Sequence, residues 1–160
     1  MDLKTLGALA ALAFLAACSD DKPLTTGTSG GAGTSAAASG IVPGSEEDLK
    51  TNVGDRVFFG LDKSGLDTDG KGTLDRQGAW LGKYGSVAVE IAGNADERGT
   101  EEYNIALGQR RANTARDYLV AKGVASARIS TISYGKDRPV ALGSNEDAWK
   151  QNRNAITSVK

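Results

Sequence analysis

The 160-residue sequence contains no histidine and only one cysteine. Without histidine the chain cannot form the serine–histidine or cysteine–histidine pairs of common hydrolases, or a zinc site with imidazole ligands. Its single cysteine, Cys18, cannot form a disulfide within the chain. Paired carboxylates remain available for chemistry on glycans, but nothing distinguishes such a pair from ordinary acids. We therefore expect no enzymatic activity, no cofactor and no metal site.

The sequence also lacks a strong net charge and a long apolar run. A formal net charge of −1 shows no excess of basic residues of the kind that binds nucleic acid, so we expect no nucleic-acid partner. The apolar run at residues 6–17 is shorter than the roughly 20 residues that a membrane-spanning helix needs. It follows Lys4 and ends directly before Cys18, which is typical of a signal peptide. We therefore predict a signal peptide at residues 1–17.

Large apolar side chains are scarce in residues 18–45, where glycine, serine, threonine and alanine predominate. Such a segment cannot bury enough apolar surface to offset the entropy lost on folding. We therefore predict a flexible linker at residues 18–45 and a folded domain at residues 46–160. A flexible coil of about 25 residues spans roughly 25–30 Å root-mean-square.

Strand and helix patterns alternate within the predicted domain. An alternating apolar run at residues 87–92 predicts a strand, and a long helical pattern begins after Thr100, which can cap it. Gly123 can end that helix. The other predicted elements are a strand at 57–59, a helix at 73–84, a strand at 128–134, a helical turn at 147–151 and a weak strand at 155–159. This order predicts the α/β sandwich class, with helices on one face of a small mixed β-sheet.

One face of the long helix carries small residues that would let it pack closely on a sheet. That face consists of Ile105, Gly108, Ala112, Ala115 and Leu119. Arg111 lies at its border and has no acidic residue three or four positions away, so no ion pair along the helix is available to it. A half-buried guanidinium then needs an anion from elsewhere.

The segments GNADERGTEEYNIALGQRRANTARDYLVAKGV and ISYGKDRPVALGSNEDAWKQNR carry a family resemblance. The strings ADERGT, YNIALG, RRAN, ISYGK and QNR have the order and spacing of the OmpA-like peptidoglycan-binding domains. Within that family the sequence resembles the peptidoglycan-associated lipoproteins of Gram-negative bacteria. The resemblance covers residues 55–153 and implies a non-catalytic pocket for the diaminopimelate residue of the wall stem peptide.

Asp96 and Arg111 match the two principal ligand residues of that family. The free end of diaminopimelate carries an ammonium and a carboxylate on one carbon. The resemblance implies that Asp96 takes the ammonium and that Arg111 grips the carboxylate through two parallel hydrogen bonds. It also implies an apolar contact from Leu107 and further ligand candidates at Asp62, Glu97 and Arg98.

Each of these candidates has a simpler interpretation. Asp62 can be an ordinary turn aspartate, and Asp96 can be a loop residue that satisfies nearby N–H groups. Glu97 and Arg98 can form a solvated ion pair, because exposed pairs of this kind are common and weak.

The resemblance further implies that Cys18, in the sequence LAAC, is cut and acylated. The acyl chains, palmitate among them, would anchor the protein in the outer membrane on its periplasmic face. The implied protein partners are TolB and the Tol complex, with roles in envelope integrity and cell division. Two alternatives stay open: a scaffolding lipoprotein without a working wall pocket, and a wall-remodelling enzyme.

Two residues depart from the family pattern. Asn94 stands where many relatives have histidine, and Asn154 replaces the second arginine of the usual Asn-Arg-Arg, which leaves Arg153. We expect Arg111 to keep its ligand role and no ligand role for the C-terminal end.

Overall fold

Strands and helices alternate along residues 40–160, the part of the chain that this computed structural model describes. The strands are β1 (Arg56–Phe58), β2 (Val89–Asn94), β3 (Ile129–Gly135) and β4 (Asn154–Val159). The helices are α1 (Glu46–Asp48), α2 (Thr68–Lys83), α3 (Glu101–Ala121) and α4 (Glu146–Asn152). A π-helical turn at Leu49–Val53 continues α1, and a 3₁₀ turn at Ser126–Arg128 precedes β3. The predicted signal peptide, Cys18 and most of the predicted linker lie outside the described residues.

The four strands form one mixed sheet in the order β1-β4-β2-β3. Strand β2 pairs parallel with β3 and antiparallel with β4, and β1 pairs antiparallel with β4. The strand predicted as weak at the C-terminus is therefore β4, which lies inside the sheet with a neighbour on each side. The predicted α/β class and mixed sheet are confirmed.

Alternation along β2 separates the two faces of the sheet. Val89 and Ile91 are fully buried and point toward the helices, and Glu90 and Ala92 occupy the other face. Removing such apolar side chains from water supplies about 1.5–3 kcal/mol each, which is the main force that holds the helices on the sheet. The core beneath the helices includes Leu49, Val57, Leu74, Leu81, Val89, Ile91, Ala112, Leu119 and Ala155.

Helix α2 begins at Thr68, earlier than the predicted start at Thr73. The carboxylate of Asp67 caps it by accepting a hydrogen bond of 2.7 Å from the backbone N–H of Gly70. The first turn contains no large apolar residue, so the apolar periodicity gave no signal for it. Helix α1 and its π-helical turn were also not predicted as helical, although Leu49 is fully buried in the core.

The boundaries of α3 agree with the prediction. The hydroxyl of Thr100 accepts a hydrogen bond of 3.2 Å from the N–H of Tyr103, and Gly123 follows the last turn with a φ of 97°. The predicted buried face is wrong only at Ile105, which is 37% exposed. Ile105 packs over Gly135 at the end of the edge strand β3, where the sheet covers only part of the side chain.

Two glycines bring α3 against the sheet. A Cβ on Gly93 would lie 1.8 Å from the carbonyl oxygen of Gly108, and a Cβ on Gly108 would lie 2.3 Å from the Oγ of Ser133. No larger residue fits either position without separating the helix from the sheet. This contact confirms the predicted close packing, and it places Arg111, one turn after Gly108, against the end of β2.

Candidate functional site

The predicted ligand residues meet at one end of the sheet. There β2 ends at Asn94, the chain leaves β1 after Phe58, and β4 begins at Asn154. The strand register joins these points, since Phe58 pairs with Asn154 and Gly93 pairs with Ala155. The loop from β2 into α3 and the turn after β1 therefore lie side by side.

Arg111 is completely buried, and its guanidinium donates hydrogen bonds to three backbone carbonyls. Nη1 donates to the oxygen of Asn94 at 2.7 Å, Nε to that of Lys63 at 2.9 Å and Nη2 to that of Gly60 at 3.1 Å. Arg111 is therefore more deeply buried than the half-buried position expected from the sequence, and no carboxylate of the described residues accepts a hydrogen bond from it. The turn after β1 covers the guanidinium and supplies neutral acceptors in place of a carboxylate.

The surroundings of Arg111 disfavour its positive charge. Burial, and after it the positive charge of Arg153, lower the pKa of the guanidinium to about 10. The carboxylates of Asp96 and Asp62 act in the opposite direction without reversing the net effect. The site thus holds more desolvated positive charge than its buried acid balances, which is an environment suited to an added carboxylate.

Asp96 is 5% exposed, and both of its oxygens are paired with arginine. Oδ1 accepts hydrogen bonds of 3.1 Å from the backbone N–H and from Nε of Arg98. Oδ2 accepts from Nη2 of Arg98 and, at 3.3 Å, from Nη1 of Arg153. Burial alone would raise the pKa of the Asp96 carboxyl, but the hydrogen bonds from Arg98 and Arg153 bring it below its ordinary value.

Arg98 and Glu97 do not pair with each other, so the solvated ion pair considered from the sequence is wrong. The Arg98 guanidinium lies over the ring of Trp149 at 4.1 Å while it pairs with Asp96. Glu97 accepts a hydrogen bond of 3.0 Å from Nε1 of Trp149. A hydrogen bond from Ser144, followed by that from Trp149, lowers the pKa of the Glu97 carboxyl.

Arg153 brings the C-terminal end of the domain into contact with Asp96, and the expectation that this end has no ligand role stays a prediction. Its Nε donates to the carbonyl of Phe59 at 3.1 Å, Nη1 to Asp96 at 3.3 Å and Nη2 to Glu146 at 2.7 Å. The side chain is only 5% exposed. The string QNR contained this residue, but Glu146 and Trp149 on α4 had no distinguishing sequence signal.

Asp62 occupies the turn after β1 with a φ of 56°, the only positive φ of a non-glycine residue within residues 40–160. Such a conformation costs roughly 1–2 kcal/mol for a residue with a Cβ. The hydroxyl of Tyr103 donates to its Oδ1 at 3.4 Å. A surface groove of about 360 Å³ is lined by Leu61, Asp62, Arg98, Gly99 and Tyr103.

The structure therefore brings Asp62, Asp96, Arg98 and Arg111 to one end of the sheet. Of these four, Asp62 and Arg98 line the groove, and Asp96 and Arg111 lie outside its lining. Leu107 is buried one turn before Arg111 at 3% exposure and does not line the groove either. In the part of the chain described here, no three acidic, cysteine or histidine side chains cluster closely enough to hold a metal ion. No helix within residues 40–160 is long and apolar enough to cross a membrane.

A mixed sheet with helices on one face and a buried arginine–carboxylate cluster at one end defines a small α/β domain with a charged site. The chain belongs to the OmpA family, whose model matches residues 58–153. A peptidoglycan-associated lipoprotein of Mesorhizobium japonicum is 48% identical over 152 residues, which cover 95% of this chain and 89% of that protein. A peptidoglycan-associated lipoprotein of Haemophilus influenzae is 38% identical over 154 residues, which cover 96% of this chain and 95% of that protein.

Solved structures show the same fold. The crystal structure of the peptidoglycan-associated lipoprotein from Burkholderia pseudomallei superimposes with a TM-score of 0.64 at 39% identity, covering 66% of this chain and 90% of that one. The resemblance inferred from the sequence is confirmed. The names of these relatives describe lipoproteins and no catalytic activity, in agreement with the predicted non-catalytic function.

Proposed function

We propose that this protein binds the peptidoglycan stem peptide through the zwitterionic end of diaminopimelate and so holds the outer membrane to the cell wall. The observation that carries the proposal is the pair of buried guanidiniums, Arg111 and Arg153, with Asp96 as their buried acid. A ligand carboxylate would balance the excess positive charge, and Asp96 would receive the ammonium on the same carbon. The names of the relatives support peptidoglycan as the partner.

The proposal requires the turn after β1 to open. Two of the three carbonyls that cover Arg111 belong to Gly60 and Lys63 in that turn. A carboxylate would replace these neutral acceptors with a charged one, and charge-assisted hydrogen bonds are roughly twice as strong. Asp62 lies between them with its strained φ of 56°, so opening the turn would also release strain.

The proposal includes the envelope context that the family resemblance implies. Cys18 would carry the lipid anchor, which places the domain on the periplasmic face of the outer membrane, and TolB and the Tol complex would be its protein partners. The test of the anchor is incorporation of radiolabelled palmitate into the wild type and its loss in Cys18→Ser. Co-purification with TolB tests the partner separately.

The test of wall binding is titration of the full-length protein with two stem tripeptides, one ending in meso-diaminopimelate and one in lysine. We expect Asp96→Asn to reduce affinity for the diaminopimelate tripeptide by about tenfold or more, since a neutral amide attracts an ammonium far less than a carboxylate. Arg111→Lys keeps a positive charge but loses the planar fork, and we expect a similar loss. Arg116→Gln is the matched control, because Arg116 lies on α3 in an exposed pair with Asp117.

One observation favours a second candidate, a scaffolding lipoprotein without a working wall pocket. Both proposed ligand groups already have internal partners, Asp96 with two arginines and Arg111 with three carbonyls. Equal and negligible binding of both tripeptides by the wild type would favour the scaffold. Release of soluble fragments from purified wall would instead require an enzyme.

A further inference from the structure

The Asp96 carboxylate has no acceptor position left for a ligand. A carboxylate presents about four lone-pair directions, and Asp96 accepts three hydrogen bonds from Arg98 and one from Arg153. An ammonium that binds there must displace one of the two arginines. The identity of the displaced arginine then determines how the site discriminates between ligands.

Arg153 is poorly placed to leave. Its side chain is 5% exposed, and Nε and Nη2 donate to the carbonyl of Phe59 and the carboxylate of Glu146. Moving it would leave the buried carbonyl of Phe59 without its donor and break the ion pair with Glu146, which is costly. Arg98 is 34% exposed and lines the groove beside Asp62, so its guanidinium has space to move outward.

We infer that Arg98 is an internal competitor for the ligand's ammonium: its guanidinium occupies the place on Asp96 that the ammonium takes, and binding exchanges one cation for the other. This inference rests on the proposed function. Asp96 keeps a cationic partner throughout the exchange, so at no stage is a buried carboxylate left unpaired.

A displaced Arg98 has other partners close to its present position. The ring of Trp149 already lies beneath it at 4.1 Å and can hold the cation after rotation. The carboxylates of Glu146 and Asp62 lie close enough to stabilise its positive charge. The exchange therefore breaks the bidentate pair with Asp96, but the guanidinium keeps its other stabilising neighbours.

Competition of this kind makes the site selective for a zwitterion. A simple cation must displace a bidentate arginine and gains only one charge contact in return. A ligand that also presents a carboxylate to Arg111 gains a second charged contact from the same atoms. Arg98 thus rejects amines that lack the adjacent carboxylate, and this discrimination reduces affinity for the correct ligand as well.

The test compares two tripeptides on the full-length wild type and Arg98→Gln. One tripeptide ends in meso-diaminopimelate, and the other ends in 2-aminopimelate, which keeps the distal carboxylate and lacks the distal ammonium. We expect Arg98→Gln to raise affinity for the first about five- to tenfold and to leave affinity for the second within about twofold. Arg98→Lys, which keeps a cation without the fork, should fall between wild type and Arg98→Gln. Arg116→Gln should match wild type for both.

A second measurement needs no variant. On addition of the diaminopimelate tripeptide to isotope-labelled wild type, the Nε–H resonance of Arg98 should shift and exchange faster with water, and the 2-aminopimelate tripeptide should leave it in place. If the wild type binds the diaminopimelate tripeptide and Arg98→Gln binds it equally well or more weakly, the inference is overturned while the proposed function stands. Failure of both proteins to bind either tripeptide would overturn the proposed function and this inference together.

Discussion

Asn94 and Asn154 contact each other inside the sheet, although 60 residues separate them in sequence. Nδ2 of Asn94 donates to Oδ1 of Asn154 at 2.8 Å, and the two side chains are 3% and 0% exposed. Both positions were noted in the sequence as departures from the pattern that the family resemblance implies. The backbone carbonyl of Asn94 also accepts the hydrogen bond from Nη1 of Arg111, so the pair borders the candidate site.

The first prediction is that Asn94 and Asn154 are energetically coupled. Either Asn94→Ala or Asn154→Ala should lower the free energy of unfolding by about 1–3 kcal/mol, because each leaves a buried amide without its partner. The double variant should lose about 1 kcal/mol less than the sum of the single losses. Urea denaturation of the wild type, the two single variants and the double variant measures this double-mutant cycle. The control is the pair Asn52→Ala and Asn94→Ala, whose losses of unfolding free energy should add in the double variant. If the losses from Asn94→Ala and Asn154→Ala add equally well, the two residues are not coupled.

A second prediction concerns the contact between α3 and β2. Gly93→Ala should destabilise the protein by about 3 kcal/mol or more, because the new Cβ would lie 1.8 Å from the carbonyl oxygen of Gly108. Gly82→Ala is the matched control in α2, where the added Cβ meets nothing within 4 Å. It should stabilise by about 1 kcal/mol through helix propensity. Thermal unfolding measures both, and equal melting temperatures would disprove the close approach.

The third prediction separates strain from charge at Asp62. Asp62→Gly should raise the free energy of unfolding by about 1 kcal/mol, because glycine adopts a φ of 56° without a steric cost. Asp62→Asn tolerates the same backbone conformation and removes only the charge. If Asp62 is a ligand residue, both variants weaken binding of the diaminopimelate tripeptide. Unchanged binding in both would identify it as an ordinary turn aspartate.

The fourth prediction is a loss of stability in acid that depends on Asp48. A hydrogen bond from Asn52, followed by those from Gly44 and Trp80, lowers the pKa of its carboxyl from 3.8 to about 2. The folded state holds this proton less tightly than the unfolded state, so the stabilisation is complete above pH 3.8 and disappears as the pH falls toward about 2. Urea denaturation at several pH values in that window should show a shallower dependence for Asp48→Asn. The exposed acid Asp117 gives the control variant Asp117→Asn, which should retain the wild-type dependence.

Local signals explain which parts of the fold were predicted from the sequence. Helix α3 was predicted with its cap at Thr100 and its glycine ending at Gly123, because caps and periodicity are local in the chain. The start of α2 was missed because Asp67 caps a first turn without large apolar residues. The closeness of Gly93 to Gly108 was anticipated only as a preference for small residues on one helix face.

The partners within the site were harder to predict. Arg111 binds three backbone carbonyls, and a carbonyl has no residue-specific signal in the sequence. Arg153 reaches Asp96 across 57 positions, which only the arrangement of β4 beside β2 explains. Motifs could nominate the candidate site residues, but the contacts among those residues depend on the tertiary structure.

The chain enters the domain at the end of the sheet opposite the charged site. Glu46, in the first helix, accepts a hydrogen bond from the backbone N–H of Val159, and β4 runs from there to Asn154, a rise of about 17 Å. A mechanical load applied between Glu46 and the charged site would act parallel to β4. The hydrogen bonds that join β4 to its two neighbours would then be loaded in shear, all at once, and not peeled open one by one.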